Sequence, residues 1–194
     1  MAQADGSAGT EIIPKVVEEH LATYILSWQQ WQAAVRSPDF TARNLARLEE
    51  RMLAHLDGIL VAGAGAVPML HERLAAEEVG PVLAAAYALL AMDRKETDEK
   101  VLAAFAEATG PALDGLRIAL CLSQARRILP RMREVLESAP VLTAVAAAEV
   151  LASQSELDPS SPRLSRLLAD EDVGVRRSAW RVAAILDSTV RQKR

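Results

Sequence analysis

The chain of 194 residues has one cysteine, three tryptophans, two tyrosines and two phenylalanines, so aromatics make up only 4% of it. A single thiol, Cys121, cannot close an intramolecular disulfide, and no Cys/His spacing reads as a zinc site. So few aromatics, with modest Val, Ile and Thr, argue against sandwiches and barrels, whose pleated faces draw on those residue types. An excess of positive charge is missing too: the net charge is -4 and the pI about 5.5. No global field therefore attracts nucleic acid. The longest uncharged runs, Gly58–Leu70 and Val79–Met92, fall short of the roughly 18–20 residues that span a bilayer. Residues 1–10, MAQADGSAGT, lack the apolar core of a secretory signal and read as a flexible tail. These absences predict a soluble, cytoplasmic protein.

What is present is alanine and leucine, roughly a third of the chain together. Both favour helices, and alanine lets helices pack closely. Ile13, Val17, His20, Tyr24, Trp28, Trp31 and Val35 recur at steps of three and four, which predicts an amphipathic helix of about six turns. Ser37-Pro38-Asp39 breaks it, and Thr41 is placed to cap a second helix. That helix carries Leu45, Leu48, Met52, Leu56 and Ile59 on one face and ends at Gly63-Ala64-Gly65. Residues 11–64 thus read as a long antiparallel helix pair.

Beyond it the prolines keep a period. Pro81, Pro111 and Pro140, spaced by 30 and 29 residues, open the alanine-rich segments PVLAAAYALL, PALDGLRIAL and PVLTAVAAAEVL. Gly174 opens a fourth, GVRRSAWRVAAIL. Pro68, Pro130 and Pro162 open shorter, more charged segments between them, with Thr97-Asp98 as the cap where a proline is missing. Proline suits the first helical position, where its absent N–H costs nothing. A period of about 30 residues with two helices per unit is the signature of an α-solenoid. Residues 65–194 are accordingly read as about four helix pairs, packed with 11–64 as one domain. In the last unit Asp170, Asp172, Val175, Arg176 and Ala179 form an acidic turn followed by V-R-x-x-A, the HEAT-like pattern, in which the arginine would reach the turn's carboxylates.

Catalytic motifs do not survive inspection. Ile59 to Gly65 resembles a strand entering a dinucleotide loop, but position 68 is proline and no second strand or acidic residue follows. His71-Glu72 has no second histidine at 75, and His20 and His55 lie on or beside apolar faces as structural residues would. Arg117, one turn before Cys121, favours a thiolate slightly, but no His accompanies it in sequence. No catalytic residue, metal or cofactor is assigned.

The second helices carry the binding signal. Aligned on Pro81, Pro111, Pro140 and Gly174, their core face reads Val82, Ala86 and Leu89, then Ala112, Leu116 and Ala119, then Val141, Val145 and Ala148, then Val175, Ala179 and Val182. The opposite face reads Ala84, Tyr87 and Ala88, then Asp114, Arg117 and Ile118, then Thr143, Ala146 and Ala147, then Arg177, Trp180 and Arg181. Tyr87, Arg117 and Trp180 share one repeat position and are expected to form a row of hot-spot residue types. The rival expectation packs Tyr87 and Trp180 between repeats or against the first helices. Trp28 and Trp31 are expected in the core. Glu18, Glu49 and Glu77 belong to acidic pairs on outer faces that could meet a basic partner.

The segments IIPKVVEEHLATYILSW, LARLEERMLAHLDGILVAG and LDPSSPRLSRLLADEDVGVRRSAWRVAAIL resemble a bacterial family of HEAT-like repeat proteins. Its members are often encoded near type VI secretion components and their PAAR-bearing toxins. The likeness covers most of residues 11–187. It implies an immunity protein that binds a cognate secreted toxin, such as a nuclease, and occludes its active site, with no nucleic-acid, membrane or small-molecule partner. The residues expected to bind are Tyr87, Asp114, Arg117, Arg177, Trp180, Arg181, Glu18 and Glu49. Two alternatives stand beside it: an adaptor or chaperone that loads the toxin, and a DNA binder of the HEAT-like alkylpurine glycosylase type. The last would need several cations on one concave face.

Overall fold

The computed structural model describes residues 14–192, with side chains described as far as Asp187. The tail at 1–10 and Ile13 lie outside the described residues. Within them the chain is all-helical, with no strand. Helix α1 (Pro14–Ala34) and α2 (Ala42–Ala62) come first, followed by a single 3-10 turn (Gly63–Ala66) and α3 (Val67–Leu74). Then follow α4 (Val79–Ala91), α5 (Lys95–Glu107), α6 (Gly110–Leu122), a second 3-10 turn (Arg126–Ile128), α7 (Leu129–Ser138), α8 (Val141–Ser153), α9 (Pro162–Leu168) and α10 (Val173–Gln192).

The capping chemistry explains the boundaries. Thr41 Oγ1 accepts from the Asn44 N–H at 3.2 Å, and Ser161 Oγ accepts from the Leu164 N–H at 3.4 Å. Asp172 Oδ1 accepts from the Val175 N–H at 2.9 Å and so caps α10. Proline stands within the first turn of α3, α4, α6, α7 and α9, and Pro140 is the N-cap of α8. Thr97 and Asp98 do not cap: α5 starts two residues earlier, and both are buried inside its first turn. There Asp98 accepts from the Arg127 guanidinium, a partner 29 residues away that local sequence could not announce. Val35, expected on the α1 stripe, is exposed just past the helix end.

Helices α1 and α2 lie along each other, and both also touch α4. His20 meets His55 and Trp31 meets Glu49, so the contact retreats along α2 as α1 advances. Helices α4, α6, α8 and α10 touch in succession, while α3, α5, α7 and α9 each pack on the helix that follows. One apolar core runs from Val17 to Val182. Small residues let these backbones approach: a Cβ added at Gly115 of α6 would stand 2.8 Å from the Val79 carbonyl oxygen on α4.

Helix C-terminal ends recurrently find polar partners from farther along the chain. Gln154 Nε2 donates to the Cys121 and Ser123 carbonyls, and Arg163 donates to those of Leu136 and Ala139. These bonds satisfy carbonyls that a helix C-terminus leaves open. Arg176 does the same: it donates to the Asp170 and Glu171 carbonyls at 2.6 and 2.8 Å rather than to the carboxylates the sequence suggested. The Asp172 carboxylate is taken by its capping bond.

One further expectation changes. The span Ala42–Leu74 is long and apolar enough, by length and composition only, to cross a membrane. The uncharged count had stopped at Asp57, one carboxylate that an apolar window of mean hydropathy 1.5 absorbs. In this fold Leu48, Met52, Leu56, Ile59 and Leu70 of that span are buried in the core. At Gly63, φ is +55 and ψ -127, a region closed to L side chains, and the backbone bends there.

Candidate binding surface

The predicted row on the second helices is divided by what covers it. Tyr87 is half-buried on α4, with its ring 5.7 Å from the Trp28 ring in an edge-to-face arrangement. Trp28 also meets Tyr24 at 6.1 Å and Trp31 at 5.7 Å, so four of the scarce aromatics form one cluster at the seam of α1 and α4. The Trp28 indole N–H is buried without a hydrogen-bond acceptor among the described residues. Burial raises the Tyr24 hydroxyl above its usual range, with Trp28 acting the other way. Tyr87 is therefore a packing residue, as the rival expectation had it. Ala84 and Ala88 on α4, and Thr143, Ala146 and Ala147 on α8, are also buried rather than facing out. Both helices are hemmed in on several sides: α4 by α1, α3 and α6, α8 by α6, α7 and α10. Glu49 is exposed on α2 and accepts from Trp31 Nε1 at 2.8 Å. Glu18 stays exposed on α1.

Further along, Asp114, Arg117 and Arg181 converge through a residue the sequence reading missed. Arg117 donates to the Glu149 carboxylate of α8 and lies 3.4 Å from Asp114 Oδ1. Glu149 Oε2 is in turn 4.0 Å from the Arg181 guanidinium on α10, which also donates to Ser178 at 3.1 Å. Arg117 and Glu149 are mostly buried, whereas Asp114 and Arg181 are open. The four charges make an alternating ladder across α6, α8 and α10, lining a cleft of about 180 Å³ with Leu142 and Ala146. A signal for Glu149 was present: it is the only charge in the otherwise neutral VLTAVAAAEVLAS. Its carboxylate between two arginines also weakens this face as a phosphate grip.

Trp180 lies one residue before Arg181 and is 63% exposed, with exposed Arg177 one turn earlier. At the other side the ladder's cleft shares Gly110 with a larger one of about 990 Å³ between α3 and α5. Alanines floor that groove, at positions 75, 76, 103, 104, 108 and 112, and Glu77, Glu96, Glu99 and Glu107 stand around it against Lys100 and His71. The acidic groove and the charge ladder thus share Gly110, and Trp180 stands next in sequence to the ladder's Arg181.

Cys121 is half-buried and held toward the thiol form. Burial pushes its thiol up to about 11, and Glu149 adds to that; Ser153 and Arg117 act the other way without reversing it. The expected thiolate assistance from Arg117 is present but outweighed by burial. No protein-family model, no curated protein and no solved structure matches this chain.

Proposed function

We propose that the chain is a HEAT-like α-solenoid, opened by the α1–α2 pair, that acts as an immunity protein: it binds a cognate type VI secretion toxin and occludes its active site. The succession of α4, α6, α8 and α10, each packed on the helix that precedes it in the chain, supports the repeat reading. The observation that carries the binding role is Trp180. Trp28 is 6% exposed and Trp31 half-buried, whereas Trp180 stands 63% exposed between two arginines. Exposing a large indole forgoes burial worth about 1.5–3 kcal/mol, which a partner's pocket would recover. The acidic groove beside Gly110 suits a toxin with a basic cleft, as a nuclease has.

The test is co-expression with a toxin encoded beside the gene, scored for growth and for complex formation. The wild-type chain is expected to bind and protect. Trp180→Ala is expected to weaken binding by about 30-fold or more, the size of a hot-spot loss, while the variant stays folded. A wild-type chain that neither binds nor protects ends the proposal. Binding without protection, coupled to failed toxin export on deletion, supports a loading adaptor instead.

A further inference from the structure

We propose that His20 and His55 form a transition-metal clamp between α1 and α2, taking a divalent ion that prefers imidazole, such as Zn²⁺ or Cu²⁺. The two Nδ1 atoms face each other at 3.1 Å across the helix pair, with the rings 5.3 Å apart and inclined by 61°. Metal–imidazole bonds of about 2.0–2.1 Å put two adjacent ligand nitrogens about 2.9–3.4 Å apart for angles between square and tetrahedral, which brackets this separation. That separation, a hydrogen bond between the rings in the metal-free chain, is thus also the spacing of two neighbouring coordination positions, and an ion taken there replaces the shared proton.

The site is built into the backbone of α2. The His20 ring lies against Gly58, where an added Cβ would fall 2.7–2.9 Å from three of its ring atoms. Glycine inside a helix costs about 1 kcal/mol relative to alanine, and here it makes the seat that fixes the ring. Both histidines are half-buried, so one side of the pair remains open to solvent. Among the described residues no group of three or more His, Cys, Asp or Glu gathers, so the remaining positions on the ion are left to water. Imidazole is a good ligand for Zn²⁺ and Cu²⁺ and a poor one for Mg²⁺. Burial, with His20 and Arg51 adding to it, holds His55 below its usual pKa. Arg51, one turn before His55, opposes any cation there and sets a limit on affinity.

The experiment uses the full chain, stripped of any purification tag and of metal with EDTA, and titrated with ZnCl₂ at pH 7.5 while thermal unfolding is followed. The midpoint is expected to rise with the logarithm of Zn²⁺ concentration, as for any ligand bound only by the folded state, and MgCl₂ is expected to leave it unchanged. His20→Asn and His55→Asn each lose the shift; His71→Asn, on α3, keeps it; Arg51→Gln enlarges it. Because a His20 variant could disturb the helix pair, Cu²⁺ bound to the wild-type chain provides a second readout: its paramagnetic resonance should show coupling to two imidazole nitrogens. Absence of a Zn²⁺ shift in the wild type, a shift that survives in both histidine variants, or coupling to fewer than two nitrogens overturns the proposal.

Discussion

Helices α4 and α10 align in sequence on Pro81 and Gly174, and the residue six places after each is aromatic. Their fates differ. Tyr87 is half-buried with the Trp28 ring 5.7 Å away, and Trp180 is 63% exposed. What differs is the neighbour. On α4 the pair α1–α2 supplies a cover, and on α10 nothing among the described residues reaches Trp180 with a ring or a hydrogen bond. Positions that align in the sequence therefore need not share an environment: the element packed against each decides which is covered and which is left exposed.

Removing the cover is the severest way to break that contrast. Trp28→Ala takes the centre out of the aromatic cluster and should cost about 3–5 kcal/mol, read as a lower urea midpoint, and should open Tyr87 to solvent. A cost under about 1 kcal/mol would mean that α1 is not what buries Tyr87. The next effect comes from the seam between α4 and α6. Gly115→Ala would gain helix propensity of about 1 kcal/mol, yet its Cβ meets the Val79 carbonyl at 2.8 Å. A net loss of about 1–3 kcal/mol is expected on thermal unfolding, and a stabilised variant would show that this close approach is relaxed. The smallest effect belongs to the open end. Trp180→Ala should leave stability within about 0.5 kcal/mol of wild type while removing the part of the tryptophan fluorescence most readily quenched by acrylamide. An unchanged quenching curve would place Trp180 under cover after all.

How legible the surface was varied with the range of the interaction. Thr41 and Ser161 were readable or nearly so, because a cap is a contact with a residue three positions on. The core faces of α4, α6, α8 and α10 were readable for the same reason, since helical periodicity is local: Leu116, Val145, Ala148, Val175, Ala179 and Val182 are buried as their spacing predicts. Ala84, Ala88, Ala146 and Ala147 were misplaced because alanine suits either face, and only the number of helices packed around it decides. Glu149 was missed because its partner Arg117 lies 32 residues away, and Asp98 was taken for a cap because Arg127 lies 29 away. Long-range pairs leave no mark in the spacing of either partner.

By itself, the sequence determined an all-helical chain, its helix starts and the paucity of aromatic anchors, since propensity, proline and capping act within one turn of helix. The tertiary structure decided what that paucity means. It gathered Tyr24, Trp28, Trp31 and Tyr87 into one internal cluster and left Trp180 outside beside Arg177 and Arg181. The physical reason is that burial belongs to the arrangement of neighbours, and an indole carries no sign of which neighbour will arrive.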